Sequence, residues 1–412
     1  MQLIRPFRGL RPVPAYAADV AAPPYDVLSF DEAYARAAGR PWSFLHISRP
    51  EIDLPPGTDP HAPQVYAKAA ENLQHMLSSG VLERDAAALY YVYRLTLGGH
   101  VQTGLVCAAA VAEYDRNRIR KHEHTRPDKE HDRVAQIEAL NAQTGPVLMA
   151  YPSAPAVDRL LAQLASGTPV ADVTADHGVR HTVWTVRAPD AIAALSAEFD
   201  TMTALYIADG HHRSAAASRV ARARRARVSH ADSQEYEYFL AVCFAHDQMQ
   251  ILPYNRVVSD LNGLSAEAFL QRLKGSFDVE TASSAVSPGN RGEFGLYLAR
   301  QWYRLIIHAG LIPVDDPVAR LDVSLLADHV LAPILAIHDP RTDKRIDFVG
   351  GIRGTAELEA RLAAGRFAAA FSLHPTHMED LMAVADRGQV MPPKSTWFEP
   401  KLADGLVSHV LD

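Results

Sequence analysis

The chain has 412 residues, 48% of them hydrophobic and 22% charged, with a formal net charge of −7. That length exceeds one ordinary core, so two or three domains are expected. The acidic balance argues against a general nucleic-acid binder while leaving room for a local basic patch. The two cysteines, Cys107 and Cys243, both lie within apolar runs, which argues against a disulfide framework and for a reducing compartment. No stretch approaches the roughly 20 apolar residues of a membrane span. The start, Met1-Gln2-Leu3-Ile4-Arg5-Pro6, lacks the apolar centre of a secretion signal, so a cytoplasmic location with no membrane partner is expected.

Residues 1–60 are rich in proline and loop formers, as in Ala22-Pro23-Pro24-Tyr25-Asp26, and long helices are excluded there. Ser43 to Ser48 reads as a strand. A helix follows from about Pro63 to Ser79, with Val65, Ala69, Leu73 and Met76 on one face. Leu89 to Thr96 and Gln102 to Cys107 flank Gly98-Gly99-His100 and predict a hairpin. A polar stretch, Lys121 to Lys129, precedes a helix striped by Val134, Ile137 and Leu140. Val147 to Tyr151, Val179 to Val186 and Ala204 to Ala208 read as strands, and Ala156 to Leu164 and Ala191 to Phe199 as helices. Glu237 to Phe244 with Met249 to Leu252, and Phe294 to Leu298 with Trp302 to Ile307, predict two further hairpins. A helix begins after Asp322, and Ile346 to Val349 and Ala368 to Leu373 are strands. The segment His374-Pro375-Thr376 then caps a helix reaching about Asp386. Strands thus occur both in hairpins and between helices, which favours an α+β or mixed α/β fold.

The densest chemistry sits at Asp209-Gly210-His211-His212-Arg213, between a buried strand and an alanine-rich helix. Free amides and the positive end of the helix dipole make such a turn a natural anion site. There Gly210 permits close backbone approach, His211, His212 and Arg213 surround an anion, and Asp209 holds Mg²⁺. An ordinary helix start with Asp209 as N-cap accounts for the carboxylate, but not for two imidazoles and a guanidinium beside it. No glycine-rich run ends in Lys-Ser/Thr, so the common nucleotide loop is excluded.

A second cluster, Lys121 to Lys129, offers Glu123 as a general base and Arg126 and Lys129 as cations that neutralise phosphate. A solvated charged loop is the plain alternative, and a third reading makes His122 and His124 metal ligands, although a lone His-x-His lacks a recognised zinc spacing. The arginines 219, 222, 224, 225 and 227 spread around their helix and are followed by Asp232, Glu235 and Glu237. This pattern describes a solvated surface better than a DNA contact. In the tail, Lys394-Ser395-Thr396-Trp397 has the polarity of a lid, or of a segment pinning the C-terminus to the core.

The chain resembles a family of bacterial and archaeal proteins labelled as a domain of unknown function (number ten-fifteen). The likeness is carried by Arg5-Pro6-Phe7-Arg8, Pro23-Pro24-Tyr25-Asp26-Val27, Lys121-His122-Glu123-His124-Thr125, Leu140 to Pro146, Ala208 to Arg213 and Met391 to Thr396. The Asp209 to Arg213 turn also resembles the signature of free serine kinases with a ParB/sulfiredoxin-like fold. That resemblance implies a ParB/sulfiredoxin-like core over 111–260, flanked by α+β segments at 1–110 and 261–412. It further implies Mg²⁺ on Asp209, and a donor phosphate from ATP, ADP or pyrophosphate gripped by Gly210, His211, His212 and Arg213. On the same resemblance Glu123 would be the base and Asp209 and His212 catalytic, with Arg126, Lys129 and Lys394 expected to add positive charge. The implied activity is phosphate transfer to the hydroxyl of free L-serine or a similar small molecule. Nucleic acid is not an expected partner, and a homodimer is compatible with the resemblance. The alternatives are a ParB-like nucleotide-binding or nucleic-acid-associated module, and a metal-dependent phosphohydrolase with His122, His124, Asp209 and His211 as ligands.

Overall fold

The structure, a computed structural model, describes residues 2–227 and 234–412; Asp232, invoked above for the arginine-bearing helix, lies outside them. Two compact units divide the chain: residues 1–249 with 400–412, and residues 250–399.

The first unit is built on strands β1 (Ile4–Arg5), β2 (Tyr90–Leu97), β3 (His100–Ala110), β4 (Ile119–Arg120), β5 (Val147–Tyr151), β6 (Ala171–Thr174), β7 (Arg180–Val186), β8 (Leu205–Asp209) and β9 (Tyr238–Ala245). Among the described residues these form one sheet in the order β4-β8-β5-β9-β3-β2-β7-β6, and β1 pairs with the far end of β3. The Gly98-Gly99 turn sets the β2–β3 register, with Leu97 opposite His100 and Tyr91 opposite Val106. From Leu105 to Ala110 every residue of β3 is buried, because both faces of the sheet are covered.

Helices α1 (Pro63–Ser78), α2 (Pro127–Leu140), α3 (Pro155–Leu164), α4 (Pro189–Thr201) and α5 (His211–Arg225) belong to the same unit. Four of the five begin with proline, whose fixed φ and missing amide suit a first turn. The core joins Val92, Cys107, Met149, Phe199, Ile207 and Val220, drawn from strands and helices that are distant in sequence. A second cluster gathers Phe44, Leu45, Ile47, Leu73 and Met76 beside α1. Burying such side chains contributes roughly 1.5–3 kcal/mol each.

The second unit holds β10 (Tyr254–Val258), β11 (Phe277–Ala282), β12 (Glu293–Leu298), β13 (Gln301–Ile307), β14 (Ile346–Gly350) and β15 (Ala369–Leu373), with helices α6 (Ala266–Leu273), α7 (Gly354–Ala363) and α8 (Met378–Asp386). Its sheet runs β11-β13-β12-β15-β10-β14, with each pair antiparallel. The α+β class expected from the sequence is therefore observed.

Two local expectations are corrected. Ser43 to Ser48 is not a strand: Leu45–Ser48 is a short helix, with the Ile47 and Ser48 amides bonded to the Phe44 carbonyl. Packing decided this, since Asn72 of α1 donates to the His46 carbonyl at 2.7 Å. Nor does Met249 to Leu252 fold back on β9. The His246–Gln248 turn redirects the chain, and Ile251–Leu252 pairs with Trp397–Phe398. The stretches 1–110 and 111–260 are interlocked, since β2 and β3 pair with β7 and β9. Residues 400–412 also return to the first unit, where Ser408–Val410 joins Gly9–Pro12 and Ala142–Gln143 in a small sheet.

Candidate active site

The site forms where two neighbouring parallel strands, β4 and β8, reach their C-terminal ends. A register shift against β5 between Ile207 and Asp209 ends the regular ladder and swings the chain into α5. Gly210 makes the turn at φ +98°, which a side chain rarely adopts. A Cβ there would stand 3.0 Å from Arg213 Nε and 3.3 Å from Val147 Cα, so the position also needs the space. No side chain caps α5. The carboxylate of Asp209 is thus not spent on a helix cap, and the positive end of a fifteen-residue helix faces the turn.

Instead, Asp209 is held among cations. Its Oδ2 accepts from Lys401 Nζ at 3.4 Å and lies 3.6 Å from Arg213 Nη2, while Oδ1 accepts the Gly210 amide at 2.9 Å. Burial alone would raise its pKa, but Lys401, Arg213 and His211 outweigh that and hold the carboxyl well below the usual range. Arg213 is clamped: one Nη donates to the Pro146 carbonyl, and its charge is kept despite burial by Asp209, Asp26, Tyr25 and Asp404. Tyr25, Arg213 and Asp404 line a small cavity with Ser48, Arg133 and Thr144. There burial, opposed by Arg213 and assisted by Asp26, pushes Asp404 up to about 7.

The two histidines face different ways. His212 Nε2 accepts the Arg126 amide at 3.1 Å, which puts its proton on Nδ1 and leaves that N–H as a donor. Burial first, and Arg126 next, lower its pKa and keep it neutral. His211 is 3% exposed and its rings cross those of His122 edge-on at 4.5 Å. Its Nδ1 lies 3.6 Å from Glu123 Oε2, and its Nε2 faces the His122 amide at 3.5 Å.

Of the residues singled out in the sequence, the structure brings together Glu123, Asp209, Gly210, His211, His212 and Arg213. Arg126 joins through its backbone, while its exposed side chain lies 3.6 Å from Asp128. Lys129 sits partly exposed on the first turn of α2. Lys394 belongs to the second unit, at φ +58°, with its Nζ 5.6 Å from the Tyr254 ring centre. Lys401 and Asp404 were missed: both reach Asp209 or Arg213 from a tail far away in sequence, and no local pattern marks them. Mg²⁺ typically takes one or two carboxylates plus substrate phosphates. Asp209 fits that habit through Oδ1, since both cations lie on the Oδ2 side, and the ion would neutralise charge on a bound phosphate.

Comparisons with known proteins add the following. The profile of a family described as "Protein of unknown function (DUF1015)" matches residues 4–324. None of the curated proteins matches the sequence. Among solved structures, a free serine kinase in complex with AMP is 14% identical at a TM-score of 0.34, over 72% of this chain and 86% of that one. SbnI with a C-terminal truncation, from Staphylococcus aureus, is 12% identical at a TM-score of 0.39, over 73% of this chain and 85% of that one. A conserved hypothetical protein from Pyrococcus furiosus is 15% identical at a TM-score of 0.34, over 73% and 93%. Likeness of that degree carries no argument about the site, which stands on its own residues.

Proposed function

The chain belongs to the DUF1015 family of proteins of unknown function, and from that premise we propose that it is a small-molecule phosphotransferase acting at the β8–α5 turn. The reading assigns the donor phosphate, from ATP, ADP or pyrophosphate, to the uncapped end of α5, with His212 Nδ1–H and Lys401 as donors. Asp209 holds Mg²⁺, and Gly210 lets the phosphate approach the backbone. Glu123 takes the proton of the acceptor hydroxyl, for which free L-serine is the leading candidate. Phosphoryl transfer demands positioning, charge neutralisation and a base more than covalent chemistry. One observation carries the reading: an ionised carboxylate locked between Lys401 and Arg213 at a helix start that no side chain caps.

The test is a screen of amino acids and polyols against the three donors, scored for phosphate ester. Asp209→Asn and His212→Ala should each lower transfer at least about 100-fold with an unchanged circular dichroism spectrum. Full activity in either variant would remove this turn as the site. A second reading, metal-assisted hydrolysis, draws on the grouping of His122, Glu123 and His211. In the same screen it would appear as free phosphate released from the donor with no ester formed.

A further inference from the structure

His122, Glu123 and His211 each present one ligand atom, and the three atoms lie within 4.8 Å of one another. We propose that these side chains form a binding site for a divalent transition metal such as Zn²⁺, separate from any Mg²⁺ carried on Asp209. The site arises because β4 and β8 are parallel neighbours. The loop leaving β4 supplies His122 and Glu123, and the helix leaving β8 supplies His211 as its first residue.

Three features separate this from a chance meeting of polar groups. The spacing fits, since bonds of about 2.0–2.2 Å in a tetrahedral shell place ligand atoms about 3.3–3.5 Å apart. His211 Nδ1 and Glu123 Oε2 stand 3.6 Å apart, too far for a good hydrogen bond and close to that figure. His122 is 3% exposed, and its Nδ1 is buried with no hydrogen-bond partner. The ring also bonds to the Ile207 carbonyl, a contact that falls to its other nitrogen and fixes the proton there. A ligating imidazole characteristically donates its second N–H to a backbone carbonyl in this way, leaving the first nitrogen as a lone pair for the metal. The donor set itself selects the ion: two imidazoles with one carboxylate suit zinc-type metals, whereas Mg²⁺ prefers oxygen.

Ligation through His211 Nδ1 places that ring's proton on Nε2. It gives up the 3.5 Å approach of the His122 amide, already at the limit of hydrogen-bond length. Glu123 is half-exposed, so the fourth position opens toward solvent, as in metal sites that act on a substrate. With the metal bound, the Glu123 carboxylate would be spent as a ligand and would not serve as the base assigned above; the ion would instead supply acidity to a water in the open position.

The test is independent of the phosphotransfer reading, because it measures metal and not product. The full chain is stripped with a chelator, reloaded with Zn²⁺ or Co²⁺, and assayed by elemental analysis and titration calorimetry. One ion per chain is expected, undisplaced by excess Mg²⁺. Glu123→Gln, at an exposed position that leaves folding intact, should weaken binding at least about tenfold. His211→Ala should abolish it, and His124→Ala, outside the cluster, should leave it unchanged. No ion retained by the parent chain, equal displacement by Mg²⁺, or Glu123→Gln binding as tightly as the parent would each overturn the site.

Discussion

Lys401 is the single residue on which the state of Asp209 most depends, being the nearer of its two side-chain cations. Replacing it with methionine keeps the aliphatic stem and removes the charge. Under the proposed function, Lys401→Met should lower transfer about 10–100-fold, with the melting temperature within a few degrees of the parent. Unchanged turnover would show that the lysine has no part in holding the donor. A second residue answers to pH alone. In the other unit, Asp322 accepts the Gly292 amide through Oδ1 while Oδ2 is buried without a partner. Burial pushes its pKa up to about 7, against the pull of that amide and of Arg291. A folded pKa above the unfolded one means that stability is complete below about pH 4 and lost as pH rises toward 7. Asp322→Asn should therefore stabilise the chain at pH 8 by about 2–4 kcal/mol, and the gain should shrink steadily as pH falls to 4. Urea titrations at several pH values check this, and a gain independent of pH would assign the effect to packing instead.

The turn from β8 into α5 makes its own prediction at the scale of an element. Gly210→Ala would force an L residue to φ +98° and press its Cβ on Arg213 and on the backbone of Val147. A cost of about 1–3 kcal/mol is expected in chemical denaturation, with a larger proportional loss of activity because Arg213 is displaced. A neutral result would mean that the helix start relaxes freely. This strand-turn-helix was legible in the sequence because its cues are local: an apolar run, a glycine and an alanine-rich stretch. The same holds for β2–β3, announced by Gly98-Gly99, and for α1, whose Val65, Ala69, Leu73 and Met76 are all buried as its periodicity required. Elements whose state depends on distant partners were not legible. The apolar run around Phe44 suits a strand until α1 packs on it. Ile251–Leu252 is too short to choose a partner before Trp397–Phe398 arrives. In the site, Glu123 and the Asp209 turn carry recognisable chemistry, whereas Lys401 and Asp404 carry none until the chain has folded.

Across the whole molecule, buried neutral histidines set the response to acid. His181, 3% exposed, bonds through Nδ1 to the Tyr93 hydroxyl at 2.8 Å, and burial lowers its pKa to about 4. Burial also depresses His409, although Glu235 opposes it. Both belong to the first unit. A folded pKa below the unfolded value of about 6.5 gives stability that is complete above that pH and lost as pH falls toward 4. His181 alone should contribute about 3 kcal/mol to this loss. Between pH 6.5 and 4 this loss opposes the gain from the raised Asp322 and Asp404, so over that range the melting temperature of His181→Gln should fall less, or rise more, than that of the parent. An unchanged slope would place the acid sensitivity elsewhere.

The tail's return to the first unit has a consequence for how the protein is made. Asp209 and Lys401 are separated by 192 positions. At roughly 5–20 residues per second of synthesis, on the order of 10–40 s pass between the emergence of the carboxylate and that of its lysine. For most of that interval the inserted unit is being built. Its ends meet, with the Glu399 amide donating to the Gln250 carbonyl at 3.1 Å, so it can close on itself while the first unit waits for its last thirteen residues. A nascent chain stalled before residue 400 would hold Asp209 against Arg213 alone, so the Lys401 half of the clamp is added only after the inserted unit has been made.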